Sequence, residues 1–111
     1  MPHDPTHHLE PDLARLVAEV PTDSIVSRRL PAGDGLDVTL FGFAPGQELS
    51  EHTSSRPAVM HVLEGSGTFA FAGEVVKVGP GAWAFMQPHT AHAITARTRL
   101  TLLLTMWKER P

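Results

Sequence analysis

The sequence predicts an all-β fold, a sandwich or barrel of eight or nine short strands, and two observations carry that expectation. Ten prolines and nine glycines among 111 residues cut the chain into pieces too short for long helices. Between the cuts, apolar residues recur with a period of two, which is the spacing of side chains along one face of a strand.

One segment departs from that period. In Pro11 to Val20, the residues Leu13, Leu16, Val17 and Val20 recur at helical spacing, and Pro21 ends the run. One short N-terminal helix, packed against the outside of a sheet, is therefore expected. Ser24 to Leu30 reads as the first strand and stops at Pro31-Ala32-Gly33-Asp34-Gly35, a strong turn signal. Leu36 to Ala44 is the second, with Val38 and Leu40 on one face and Phe41 and Phe43 on the other. Pro45-Gly46 turns the chain before Glu48 to Thr53. Ala58 to Leu63 and Thr68 to Ala72 flank Glu64-Gly65-Ser66-Gly67, and a tight hairpin at Ala72-Gly73-Glu74 leads into Val75 to Val78. Gly79-Pro80-Gly81 precedes Ala82 to Met86, and Ala91 to Ala96 and Leu100 to Trp107 complete the set.

With no internal repeat and no linker, a single barrel domain over residues 24–111 is expected, preceded by a tail and the short helix over residues 1–23. Leu100 to Trp107 is apolar on both faces, Leu100, Leu102, Leu104 and Met106 alternating against Leu103 and Trp107. A strand of a lone small barrel presents one polar face to water. Part of the outer surface is thus expected to be covered, by the helix or by a second subunit, and a homodimer is the expected assembly.

Composition removes several function classes. A formal net charge of −3 and the lack of any basic stripe argue against a nucleic-acid partner. With no cysteine, disulfides, thiol nucleophiles and thiolate metal sites are excluded. No apolar stretch approaches the roughly 20 residues that span a bilayer, and Met1 to His8 lacks the features of a signal peptide. No membrane association and a soluble cytoplasmic location are the expectations. His3, His7 and His8 lie in that polar, proline-interrupted start, which reads as a tail rather than as a metal site.

The residues that carry chemistry fall in two segments. The first is Gly46-Gln47-Glu48-Leu49-Ser50-Glu51-His52, followed by the run Ala58 to Leu63 and Glu64-Gly65. The second runs from Gly79 through Gly81 to His92. Two glycine-anchored strand units, each delivering a histidine, resemble the two motifs of the cupins, the small double-sheet jelly-roll barrels. In the first motif Gly46, His52 and Gly65 match, while Ser54 takes the second-histidine position and Ala58 the glutamate position. In the second motif Gly81 and His92 match, and Gln87, His89 and Ala96 stand where proline, glycine and asparagine would be. The resemblance covers residues 24–107. It implies a jelly-roll barrel with His52 and His92 facing one pocket.

In the full motif, three imidazoles and a carboxylate converge on one divalent transition metal. Here His52 and His92 are the candidate metal ligands, and two histidines fall short of the three protein ligands usual at a catalytic metal. Replacements would have to come from His61, His89 or Gln87. His61 is out of phase with Met60 and Val62, which share the inward face with Ala58. Glu48, counted in twos, shares the phase of His52, and Glu51 does not; both read as solvated.

Three functions stay open. One is a pocket binding a small polar molecule, with or without a divalent metal, in which His52, Ser54, Gln87 and His92 orient the ligand against Met60. The second is a metal-dependent enzyme of oxygenase or isomerase type. The third is a dimeric structural module with a vestigial pocket. The missing ligands favour the first over the second. No serine, histidine and carboxylate grouping marks a nucleophile, and no phosphate-cradling loop is present.

Overall fold

The computed structural model describes residues 6–108. Residues 1–5 and 109–111, with His3 of the histidine-bearing tail, lie outside the described residues. Within them the chain forms nine strands: β1 (Ile25–Leu30), β2 (Leu36–Phe43), β3 (Glu48–His52), β4 (Ala58–Glu64), β5 (Gly67–Phe71), β6 (Glu74–Val78), β7 (Trp83–Met86), β8 (His92–Ala96) and β9 (Leu100–Trp107). They make two antiparallel sheets, in the orders β1-β2-β9-β4-β7 and β3-β8-β5-β6. This is the jelly-roll barrel that the turn spacing and the two motifs led us to expect, and each strand lies within two residues of its expected bounds.

The core lies between the sheets because each strand turns its apolar phase inward. Phe43, Ala58, Met60, Val62, Met86, Leu100 and Leu102 from the first sheet meet Phe69, Ile94 and Ala96 from the second. Phe41 and Phe43, two residues apart on one face of β2, have ring centroids 6.1 Å apart, and Phe41 packs at the margin of this core. Full burial of one such aliphatic or aromatic side chain contributes about 1.5–3 kcal/mol.

The other face of β2 is covered differently. In place of the helix expected over Pro11 to Val20 there is a five-residue 3-10 segment, Leu13–Val17. Asp12 at its start makes no side-chain capping bond, and a helix this short does not recover the cost of its first turn. The apolar face survives the change: Val17 is buried, and the segment lies on β1 and β2. Gly42 makes the close approach possible, since a Cβ there would stand 2.8 Å from Val20 Cγ2 and 3.1 Å from Val17 Cβ. Leu40, on the same face, has no exposed surface. Arg99 ties the segment down by donating from Nη2 to the carbonyls of Val17, at 2.8 Å, and Ala18.

This cover lies mainly on β1 and β2, with Leu13 and Ala14 reaching the space beside Leu63 and Glu64 at the end of β4. On the same outer face of β4, β7 and β9, Trp83, Phe85 and Trp107 remain exposed. No described helix is long and apolar enough to cross a membrane.

Candidate functional site

His52 ends β3 and His92 opens β8, and the register makes the two residues direct cross-strand partners. The pairing slips between Leu49 and His52, as a β-bulge does. Leu49 is paired with Ile94, a core residue that shares its strand face with His92 two positions earlier. The slip therefore puts His52 on the inward face with Leu49. It also overturns the count that gave Glu48 the phase of His52. Glu48 is exposed and turned outward, where its Oε2 accepts from Thr95 Oγ1 at 3.4 Å.

The two imidazoles have ring centroids 4.1 Å apart with planes tilted 56°. Their local geometry is the same. His52 Nδ1 lies 2.8 Å from the Ser50 carbonyl oxygen, and His92 Nδ1 lies 2.8 Å from that of Thr90. A carbonyl only accepts, so each neutral ring carries its proton on Nδ1 and presents the Nε2 lone pair. His92 is buried at 7% exposure while His52 is exposed, so the pair runs from the barrel wall to its mouth.

Both rings line a cavity of about 110 Å³. Its wall takes Ser54, Arg56 and Ala58 from the stretch leading into β4, and Gln87 and Thr90 from the β7–β8 loop. Met86, Leu104 and Met106 give it an apolar floor. The loop is braced by Thr90 Oγ1 donating to the Gln87 carbonyl at 2.9 Å, and by the His89 N–H donating to the Ser54 carbonyl at 2.6 Å. Outside the mouth lies a larger, open groove of about 690 Å³ lined by Phe85, Pro88, His89 and Trp107, with Gln87 belonging to both spaces.

Four of the five residues expected at the site, His52, Ser54, Gln87 and His92, line the cavity. Met60 does not. It pairs with Ala84 and Leu104, one inward step beyond Ala58, and is sealed in the core at 1% exposure. A period of two identifies the face of a strand but not the depth at which the sheets close over it. His61 lies on the outer face, opposite Trp83 and Leu103. His89 is held with φ 67 and faces the outer groove.

Arg56 is the residue the sequence reading missed. A signal was present: steps of two from His52 reach Ser54, Arg56 and Ala58, and all four line the cavity. Its guanidinium donates from Nε to the Trp107 carbonyl at 2.8 Å and from Nη1 to Asp37 Oδ2, with Nη2 3.5 Å from the Met106 carbonyl.

The donor set limits what metal chemistry the cavity supports. Among the described residues no group of three or more His, Cys, Asp or Glu side chains is placed to hold an ion. Two oriented imidazole nitrogens fit a loosely held divalent ion completed by solvent, and fall short of the three ligands usual at a catalytic metal. Ser54 Oγ already accepts from the Arg56 backbone N–H at 3.1 Å.

Comparison with solved structures places the chain among small barrels. A cupin superfamily protein from Desulfitobacterium hafniense superposes with a TM-score of 0.83 at 25% identity, covering 95% of this chain and 94% of its own. A conserved protein of unknown function from Streptococcus pyogenes gives a TM-score of 0.83 at 27% identity over 98% and 95% of the two chains. A cupin 2 conserved barrel domain protein from Leptotrichia buccalis is 31% identical over 86% of this chain and 46% of its own, with a TM-score of 0.77. Comparison with curated proteins gives no match. A family profile described as "Cupin domain" matches residues 39–107, a span holding both motifs, both histidines and seven full strands, and the chain belongs to the cupin family.

Proposed function

We propose that this cupin binds a small polar molecule in the cavity shared by His52 and His92, and that any divalent metal there is held weakly, by the two Nε2 atoms and solvent. The observation that carries this reading is the matched pair of imidazoles. Each spends Nδ1 on a main-chain carbonyl two residues back, and together they offer two neighbouring Nε2 lone pairs to one space. Such acceptors take hydrogen bonds from a hydroxyl or amine, or coordinate a divalent ion. The apolar floor excludes water and strengthens whichever polar contact is made. Bound metal would supply Lewis acidity; the chain's own contribution is to orient the two rings.

The metal-dependent enzyme reading needs a third protein ligand, and among the described residues the donor set supports none. The structural-module reading is disfavoured by the cavity itself, since a vestigial pocket has no reason to keep two rings in identical tautomer-fixing geometry.

Zinc added to the protein, followed by long-range proton–nitrogen correlation of the imidazoles, tests the proposal. We expect the Nε2 resonances of His52 and His92 to move together, and His52→Ala and His92→Ala each to remove the response of the other ring. Dialysis against a chelator should then strip the ion. Zinc that leaves both resonances unmoved, or that resists the chelator, would refute the weak two-nitrogen site.

The same reading includes a homodimer formed through the outer face of β4, β7 and β9. The register sets Val59 beside Phe85 and His61 beside Trp83 and Leu103, a row of large side chains with no cover from the N-terminal segment. Trp83 is 64% exposed and Phe85 49%, and a contiguous exposed apolar patch marks an interaction surface.

A further inference from the structure

Arg56 brings a positive charge to the wall of the cavity. Its side chain is 23% exposed, so most of it is out of water. It is also fixed in place, because backbone carbonyls at the end of β9 and the Asp37 carboxylate on β2 hold it from three directions. A guanidinium has five N–H donors. Among the described residues three are engaged, which leaves two.

The local charge does not cancel. Asp37 accepts from Arg56 through Oδ2 and from Arg29 through Oδ1. Among the described residues two guanidinium groups thus share one carboxylate, with a net charge of +1 in the cluster. Among the described residues no aspartate or glutamate lines the cavity. A cavity with a pre-ordered cation, no anion and two imidazole acceptors is complementary to an anion that also carries a hydrogen-bond donor. At about 110 Å³ it is well below the roughly 300–1,000 Å³ of pockets for drug-sized ligands, so only a compact molecule, or the end of one, is enclosed.

We infer that the ligand class is a short hydroxycarboxylic acid, its carboxylate on the remaining N–H groups of Arg56 and its hydroxyl donating to Nε2 of the His52–His92 pair. This rests on the pocket reading above and adds the charge and chemistry of what the pocket holds. The rival account makes Arg56 a structural tie only, joining the start of β4 to β2 and β9. A tie alone gives no use to an arginine on the wall of a cavity that also holds two imidazole acceptors.

The test uses three probes of similar size: lactate, lactamide, which lacks the charge, and propionate, which lacks the hydroxyl. Binding is read from the imidazole nitrogens of His52 and His92 and from the Arg56 Nε–H resonance. We expect lactate to bind at least about tenfold more tightly than either analogue. Arg56→Gln should bring lactate down to the level of lactamide while leaving lactamide unchanged. Arg56→Lys, which keeps the charge and loses the planar fork, should fall between. If Arg56→Gln does not fold, the wild-type ranking and Arg56→Lys decide the question alone. Equal binding of lactate and lactamide that still moves both imidazoles would overturn the inferred charge and leave the pocket standing. If no probe moves either imidazole while zinc still moves both, the inferred ligand class falls and the pocket stands; if zinc also moves neither, both fall. A loss of melting temperature in Arg56→Lys with unchanged lactate affinity would assign Arg56 to the structural tie.

Discussion

Gly65→Ala should cost far more stability than Gly46→Ala, although both glycines belong to the same motif and both have φ +84. Holding a non-glycine residue in left-handed backbone costs about 1–2 kcal/mol, and that term applies equally to the two positions. The surroundings differ. A Cβ on Gly46 meets nothing within 4 Å, whereas one on Gly65 would lie 1.8 Å from the Arg99 carbonyl oxygen and 2.9 Å from Leu100 Cα. Those atoms are backbone at the start of β9, so the relief must come from moving the strand rather than rotating a side chain. Overpacking of this kind costs about 1–3 kcal/mol more. We expect about 2–5 kcal/mol for Gly65→Ala against about 1–2 kcal/mol for Gly46→Ala. Urea denaturation at one fixed protein concentration measures both, and the extra loss of about 1–3 kcal/mol should appear as a midpoint lowered by a further roughly 0.3–3 M at a slope of about 1–3 kcal/mol per molar. Failure of Gly65→Ala to fold would be the upper end of the expected range. Two variants within about 0.5 kcal/mol of each other, close to the usual limit of surface substitutions, would refute the argument from close approach.

Arg99→Met removes the donor to the Val17 and Ala18 carbonyls and should destabilise the protein by about 1 kcal/mol. Amide exchange over residues 13–18 should quicken first, and unchanged protection there would show that apolar packing alone seats the segment. Replacing Trp83 and Phe85 together by serine should shift sedimentation at tens of micromolar from a dimer toward a 12.0 kDa species, with the wild-type circular dichroism retained. A wild type that already sediments as a monomer would remove the dimer from the proposal.

Turn chemistry and a period of two are local, and they made the nine strands and their faces legible without coordinates. The same local signals placed Gly46, Gly65, Gly81 and the two histidines in the motifs by which the family can be recognised. The phase of His61 against Met60 and Val62 was readable for the same reason, because an unbroken strand preserves alternation. Alternation failed where the backbone slips: the bulge between Leu49 and His52 moved Glu48 to the outside, and nothing in the composition of that segment announces it. Depth was equally invisible, since Met60 and Ala58 share a face and only the closing of one sheet on the other buries the first and leaves the second on the cavity. Arg56 shows the remaining limit. Its charge and its phase stand in the sequence, but its partners Asp37, Met106 and Trp107 are 19 to 51 residues away, so whether it faces water or a cavity is decided by the tertiary fold that gathers β2, β4 and β9 into one sheet.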